Sequence, residues 1–332
     1  MLASACATCG CSLSTDAATG YSASGGWRVG LDYSYIDQNQ LRSGSSNIAP
    51  SKVAAINDAG GNQEVEHDTI NRYTTLSVAY SANAIWNFRL LLPYIDRSHT
   101  TYGAAGNPLT PDQLSGATAT GIGDVKFISS YQGLLPTHNL GLQFGIKLPS
   151  GNYGGPNADG SGTVGRNPVA FGTGPNAQQA APGNLLDTSL NPGTGSTDLI
   201  VGAFYYQAVS QDFDAFVNGQ FQAAVAERLN QGGADYRPGN QSTISIGLRY
   251  EADPAIVPQL QINVSHRSSD QGALADTTDT AGWVAYLSPG VSATVFNKMQ
   301  VYGFVQLPIY GKLDGYQLFP RWTASAGVSY AF

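Results

Sequence analysis

The most reactive side chains of this sequence lie in its first eleven residues, which contain all three of its cysteines, Cys6, Cys9 and Cys11. Three thiolates at CxxC and CxC spacing can bind one soft metal ion such as Cu(I) or Zn²⁺, or form one disulfide beside a spare thiol. Lipid attachment at Cys6 and a purely structural role are the other interpretations. The segment lacks the CxxCH motif that covalent haem attachment requires.

The histidines raise the question of an enzyme. His266 and Ser268 lie two residues apart in an alternating stretch, so that imidazole and hydroxyl share one face of an extended strand. Nucleophilic hydrolysis would also require a third group that orients the histidine. His67, His99 and His138 are predicted loop or turn residues, and none has a carboxylate or serine at a sequence spacing that indicates a catalytic pair. No catalytic residue is therefore assigned, and the chain is not expected to be an enzyme.

Composition excludes several classes of protein. Only 12% of the 332 residues are charged, about half the usual soluble share, while glycine (40) and tyrosine (18) are abundant. No apolar run approaches the eighteen residues of a transmembrane helix. The net charge of −7 argues against a nucleic-acid partner, which would call for a basic stripe. A membrane protein of this composition must spread its apolar residues by alternation.

Such alternation is clearest at Arg321–Phe332, where Trp322, Val328, Tyr330 and Phe332 share one face and Thr323 lies on the other. An apolar face with aromatics at both ends is typical of a strand that crosses a membrane. The same pattern predicts twelve strands: Trp27–Asp37, Thr69–Tyr80, Ile85–Arg97, Gly121–Tyr131, Leu140–Leu148, Asp198–Gln207, Phe213–Val225, Thr243–Glu251, Gln259–Arg267, Gly282–Val295, Met299–Tyr310 and Arg321–Phe332.

The connections between these strands alternate between long and short. An even strand number with this rhythm predicts an all-β, twelve-stranded antiparallel transmembrane β-barrel, with short periplasmic turns and long extracellular loops. Closure is required because hydrocarbon offers no partner for backbone N–H and C=O groups. A soluble β-sandwich is the alternative, but it would carry charges on its solvent faces. The prediction is a barrel over residues 26–332, surrounded by outer-membrane lipid.

Residues 1–25 are then expected to form a periplasmic N-terminal segment that carries the cysteine cluster and contacts a periplasmic partner. Ala3-Ser4-Ala5 resembles a signal-peptide cleavage site. The mature chain is accordingly expected to begin at Cys6.

Charged residues follow the alternation. A charge facing lipid at the membrane midplane costs about 2 to 4 kcal/mol, so charges opposite the apolar faces are expected to face the lumen. Two interpretations remain open for them, a set of pairs that rigidifies the barrel and a polar, weakly anion-attracting pathway. The predicted lumen-lining residues are Arg28, Asp32, Arg89, Asp124, Lys126, Lys147, Asp214, Arg249, Arg267 and Arg321.

Short motifs point to a family. They are GIGD at Gly121–Asp124, LPSG at Leu148–Gly151, GSTD at Gly195–Asp198, GLRY at Gly247–Tyr250 and LPIYG at Leu307–Gly311, before a terminal SYAF. Together they resemble the outer-membrane barrel transporters of the family called "MetA-pathway of phenol degradation", which is likened to the channels for fatty acids and toluene. The resemblance implies an outer-membrane channel for small solutes. The long N-terminal hatch of the fatty-acid channels has no counterpart here.

Two further features have alternative interpretations. The long connection at Gly151–Gly195 can fold into the lumen as a constriction or form a mobile extracellular loop. Pro93, Pro149, Pro289 and Pro308 are expected to mark the barrel rim or local kinks, because proline removes a donor from the strand ladder.

These observations support three hypotheses. The first is a bacterial outer-membrane channel without a cofactor that passes small solutes passively, aromatic or hydrophobic compounds among them. The second is a structural or electron-transfer barrel whose cysteines bind a metal or a periplasmic partner. The third is a lipid hydrolase, because the His-x-Ser spacing at His266 resembles that of the outer-membrane phospholipases.

Overall fold

The structure is a computed structural model that describes residues 25–61, 63–103, 108–157, 159–160, 162–178, 185–186, 188–296 and 298–332. Cys6, Cys9 and Cys11 lie outside the described residues, and their predicted roles stay predictions.

The described residues are mostly β-strand. The strands are β1 (Gly26–Gly44), β2 (Ser46–Asn47), β3 (Glu66–Ser81), β4 (Trp86–Thr101), β5 (Ser115–Ile122), β6 (Val125–Tyr131), β7 (Leu140–Leu148), β8 (Tyr153–Pro156), β9 (Thr163–Arg166), β10 (Ser196–Ala208), β11 (Phe213–Glu227), β12 (Asn230–Gln231), β13 (Ala234–Asp235), β14 (Gln241–Tyr250), β15 (Ile256–Arg267), β16 (Gly282–Phe296) and β17 (Met299–Ala331). One helix, α1 (Pro50–Asp58), and 3₁₀ turns at Pro111–Gln113, Pro175–Gln178 and Thr188–Leu190 complete the described elements.

Eleven of these strands form a closed antiparallel ring in the order β1-β3-β4-β6-β7-β10-β11-β14-β15-β16-β17, which the pairing of β17 with β1 completes. β2 and β5 add to this sheet beside β1 and β4, while β8 with β9 and β12 with β13 form separate hairpins. The predicted all-β closed barrel is confirmed. The predicted count of twelve strands is not confirmed, because Met299–Ala331 is one continuous strand. Its first part pairs with β16, and its second part pairs with β1.

The side chains alternate across the barrel wall as predicted. On β15, Leu260 and Ile262 are exposed, whereas Gln259, Gln261 and Asn263 are buried. Exposed aliphatic and aromatic side chains recur on the outer face of the ring, where they form an apolar belt. Aromatic pairs lie on this face near one end, with ring centroids 4.7 Å apart for Trp27–Tyr80, 4.9 Å for Trp86–Tyr131 and 5.0 Å for Phe213–Tyr250.

The two ends of the barrel differ. One end, called the terminal end, contains Gly26, Ala331 and the short connections at 82–85, 132–139, 209–212, 251–255 and 297–298. The other, called the loop end, contains the longer connections, among them 149–195, 228–240 and 268–281. No helix in the described part of the chain is long and apolar enough to cross a membrane.

Several strands extend beyond the predicted bounds at the loop end. β1 continues to Gly44, β3 begins at Glu66 and β4 ends at Thr101. These extensions are polar, so the apolar alternation that marks a lipid-facing segment does not reach them. The predicted strand Gly121–Tyr131 is interrupted, because β5 ends at Ile122 and β6 begins at Val125.

Three of the four prolines lie inside strands rather than at strand ends. Pro93 lies within β4 where its partner changes from β6 to β5, and its carbonyl accepts the Gly123 N–H at 2.8 Å. Pro308 in β17 pairs with Tyr286 at the point where the pairing of β16 with β17 shifts register, and Pro289 lies in β16 between the pairs Leu287–Leu307 and Gly290–Phe304. Pro149 directly follows β7. A missing N–H is tolerated inside a sheet where the ladder is already broken.

Candidate functional site in the barrel lumen

A buried group of charged and hydroxyl side chains lies on the inner face around Lys147. Its Nζ is 3.2 Å from Asp124 Oδ2 and 3.0 Å from Asp198 Oδ2, and it donates to Ser196 Oγ at 3.0 Å and to Thr194 Oγ1. All three charged side chains are less than a tenth exposed. We call Asp124, Lys147, Thr194, Ser196 and Asp198 the Lys147 cluster.

Sheet register brings the cluster together. Lys147 on β7 is the Cα partner of Lys126 on β6 and of Asp198 on β10. All three side chains point inward, because Leu148 and Leu199, their neighbours along the strands, are exposed on the outer face. Gln222 on β11 extends the network, since it accepts from Lys126 Nζ at 2.8 Å and donates to Asp198 Oδ2 at 2.6 Å.

The cluster also closes the break between β5 and β6. Asp124 occupies this break and accepts hydrogen bonds from the backbone N–H groups of Gly151 (3.1 Å) and Thr194 (2.9 Å) and from Thr194 Oγ1 (2.8 Å). Ser150 spans the break, because its Oγ donates to Gly123 O and accepts from Val125 N, each at 2.9 Å. Three motifs separated in sequence, GIGD, LPSG and GSTD, therefore meet in one place.

Part of the long connection 149–195 packs against inward-facing residues of the barrel wall. Arg97, which faces inward from β4, donates through Nη1 to Leu190 O at 2.5 Å. Phe171, Leu186 and Leu190 pack against Ala117 and Ala119 on the inner face of β5. For this part of the connection, these contacts favour the inward arrangement, which is one of the two that the sequence left open.

A cavity of about 440 Å³ opens at the terminal end of the lumen. Three cationic residues line it, Arg28, Arg89 and Lys298, together with polar side chains such as Asn87 and Gln132. This cavity lies at the end opposite to the inward connection.

The remaining predicted lumen residues lie in separate places. Tyr302 donates its hydroxyl to Asp32 Oδ1. Arg249 pairs with Glu251 at 3.0 Å, opposite Asp214 on β11. Arg267 donates to both oxygens of the buried Asp270, at 2.6 and 2.8 Å. Arg321 is exposed beside the register shift between Ile36 and Gln38.

The pair proposed for hydrolysis is engaged elsewhere. The His266 ring lies 4.3 Å from that of Trp283, and Ser268 Oγ accepts the backbone N–H of Asn240 at 2.9 Å. Neither contact orients a nucleophile. They place the His266 ring against Trp283, an exposed aromatic of the outer belt.

Two charged residues of this site are absent from the predicted lumen-lining set. Asp198 is the first residue of a predicted strand, and its alternation with exposed Leu199 and Val201 is the signal that places it inward. Arg97 is the last residue of another predicted strand, which in the structure continues to Thr101.

The closed antiparallel ring with an apolar outer belt defines a class, the outer-membrane β-barrel proteins, and at the level of the fold this prediction is confirmed. An outer membrane channel from Pseudomonas putida F1 has a similar structure, with a TM-score of 0.62 and 12% identity over 94% of this chain and 97% of that one. The translocator domain of the autotransporter NalP from Neisseria meningitidis has a TM-score of 0.50 and 10% identity over 95% and 91%.

The toluene transporter TbuX of Ralstonia pickettii has a TM-score of 0.43 and 10% identity over 93% of this chain and 90% of that one, which is too distant to bear on cargo. No protein-family model matches the chain, and no curated protein matches it in sequence. The similarity to known structures is therefore one of fold.

Proposed function

We propose that the protein is a channel in the outer membrane of a Gram-negative bacterium, through which small solutes pass passively, aromatic or hydrophobic compounds among them. The observation that carries this proposal is a closed barrel with an apolar outer belt and a polar, charged lumen that opens into a cavity. An enzyme would need an oriented nucleophile or base, and the His266–Ser268 pair is not arranged as one.

The proposed barrel has twelve spanning strands. A closed ring in which every neighbour is antiparallel must contain an even number of strands, and eleven is odd. β1 and β16 both pair antiparallel with β17. Followed round the rest of the sheet, however, β1 and β16 run in opposite directions, so one straight strand cannot be antiparallel to both. The chain must therefore reverse within β17, and Gly315, with φ +61°, is suited to the reversal.

The proposed orientation places the terminal end in the periplasm and the loop end outside the cell, with lipid around the apolar belt. Residues 1–25 then lie in the periplasm, where a partner can reach the cysteines. The resemblance to the MetA-pathway transporters is consistent with this orientation. Three of the motifs that carry the resemblance, GIGD, LPSG and GSTD, contain residues that form the Lys147 cluster or bind to it.

The ten predicted charged residues are proposed to line the pathway, with two functions divided between them. Asp124, Lys126 and Lys147 belong to a connected network and hold the wall and the inward connection together. Arg28 and Arg89 line the cavity and meet the solute.

Planar-bilayer recording tests the proposal. The purified, folded protein, checked by its shift on unheated gels, is expected to give discrete conductance steps at a steady voltage. A folded preparation that inserts into the bilayer yet never conducts would rule out a channel. Liposome swelling with aromatic and with sugar solutes then compares cargo classes.

A further inference from the structure

Three buried side chains outside the Lys147 cluster meet at the loop end of the barrel. Glu64, Glu66 and His99 are 7%, 2% and 1% exposed. One ligand atom from each lies within 4.8 Å of those of the other two. Sequence spacing around His99 does not indicate these carboxylates, because they come from residues more than thirty positions earlier in the chain.

The backbone fixes both carboxylates toward β4. Val65 lies between them in extended conformation, and its N–H and C=O exchange hydrogen bonds with Gly103 O (2.9 Å) and Tyr102 N (3.0 Å). Its side chain packs in an apolar cluster with Leu41, Val53 and Leu318. Because side chains two residues apart in an extended segment share a face, Glu64 and Glu66 are presented together.

Both ring nitrogens of His99 have polar neighbours. Nδ1 lies 2.8 Å from Thr69 Oγ1, and Nε2 lies 3.3 Å from Glu64 Oε1. In one tautomer the hydroxyl donates to Nδ1 and Nε2–H donates to the carboxylate. In the other tautomer Nδ1–H donates to the hydroxyl, and Nε2 presents to the carboxylates a lone pair that a metal ion can accept. A hydroxyl or carbonyl that holds the other nitrogen is the usual companion of a metal-binding histidine.

The surroundings are also acidic. Burial and the charge of Asp276 raise the pKa of Asp279 to about 7, and the charge of Glu64 acts in the same direction. A buried site with several carboxylates favours a cation.

We propose that Glu64, Glu66 and His99 bind one divalent first-row transition-metal ion, with Zn²⁺ as the representative case. Carboxylate and imidazole together suit Zn²⁺ and its neighbours, whereas Ca²⁺ and Mg²⁺ prefer oxygen ligands alone. Zn–N and Zn–O bonds of about 2.0 to 2.2 Å place two ligands of one ion at most about 4.4 Å apart. The ligand atoms here lie within 4.8 Å of one another, so a small movement of the side chains brings them to bonding distance.

A metal ion here ties together three parts of the barrel mouth. Glu66 Oε2 accepts the backbone N–H of Leu318 in β17 at 3.1 Å, and the His99 ring lies 6.3 Å from that of Phe171 in the inward connection. The ion therefore stabilises the loop end, and this role does not depend on conduction.

The experiment is equilibrium dialysis against Zn²⁺ followed by metal analysis. It uses the full-length folded protein in which Cys6, Cys9 and Cys11 are replaced by serine, so that the N-terminal thiols cannot bind the metal. One equivalent is expected to bind and to raise the unfolding temperature. His99→Gln and, separately, Glu64→Gln are expected to weaken binding at least tenfold.

His67→Gln is the matched control, because His67 is exposed and its Nδ1 lies 3.1 Å from Thr100 Oγ1 on the neighbouring strand. It should bind Zn²⁺ as the parent does. Absence of stoichiometric binding in the parent, or undiminished binding in folded Glu64→Gln, overturns the proposal. If His67→Gln weakens Zn²⁺ binding as much as His99→Gln does, the proposal is also overturned, because the metal then binds at the surface. If His99→Gln does not fold, Glu64→Gln decides alone.

Discussion

At the scale of single residues, Lys147 lies at the centre of a buried charged group in the lumen. It is the cation between Asp124 and Asp198, and all three are nearly excluded from solvent. Bringing three charges out of water is costly, so the favourable energy of the group lies in its mutual contacts and its hydroxyl partners. Removing only the cation leaves two carboxylates close together with that cost uncompensated.

Lys147→Met is therefore expected to destabilise the barrel by about 3 to 5 kcal/mol, the usual cost of breaking a buried ion pair. Urea unfolding in detergent or lipid vesicles, followed by tryptophan fluorescence, measures the change.

Two further variants separate charge from packing. Lys312→Met removes an exposed lysine from β17 and should change stability by less than about 0.5 kcal/mol. Adding Asp124→Asn and Asp198→Asn to Lys147→Met should recover part of the loss, because it removes the unpaired charges. If the triple variant is as unstable as Lys147→Met with both aspartates intact, the electrostatic explanation is wrong.

At the scale of elements, the inward connection is held where two glycine backbones touch. A Cβ built on Gly193 would lie 2.7 Å from the backbone of Gly151 and 2.7 Å from Asp124 Oδ1. Neither position can accept a side chain without moving one segment. The end of the connection, just before β10, is therefore packed tightly against its start.

Gly193→Ala is expected to push residues 188–195 away from Asp124 and widen the loop end, at a cost of about 1 to 3 kcal/mol for overpacking. Bilayer recording should show a larger mean conductance than the parent protein shows.

Gly172→Ala is the control within the same connection, because a Cβ there meets nothing within 4 Å. Its conductance should equal that of the parent. A Gly193→Ala channel with unchanged conductance would show that the described part of the connection does not limit flow.

The elements also show which features a sequence can predict. Strand positions and inward residues such as Lys126 and Lys147 follow from alternation, since lipid on one side and a polar lumen on the other impose a period of two. The inward connection depends on contacts such as Arg97 with Leu190, ninety-three residues apart, which no local pattern contains. Glu64 and His99 are likewise joined only by the pairing of β3 with β4 and the course of the preceding segment.

At the scale of the whole molecule, the charged groups are distributed along the lumen. Arg28, Arg89 and Lys298 line the cavity at the terminal end. Glu64, Glu66 and Asp279 are buried at the loop end. A solute would therefore meet the basic groups that line the cavity at the terminal end, whereas the acidic groups at the loop end are enclosed by protein. Which mouth faces the cell exterior decides whether a solute meets the basic groups on entry or on exit.

Orientation and strand number can be tested together with cysteines placed in a thiol-free background, with Cys6, Cys9 and Cys11 replaced by serine. Twelve strands with the loop end outside require a turn near Gly315 at the cell surface and the turn at Asp253 in the periplasm. Asp314→Cys should react with a bulky polyethylene-glycol maleimide in intact cells, and Asp253→Cys should react only after lysis. Both positions are exposed, so accessibility to the reagent depends on the side of the membrane alone. Labelling of Asp253→Cys in intact cells would show that the orientation is opposite to the proposed one. If Asp314→Cys reacts only after lysis, the proposed turn of β17 at the cell surface is wrong.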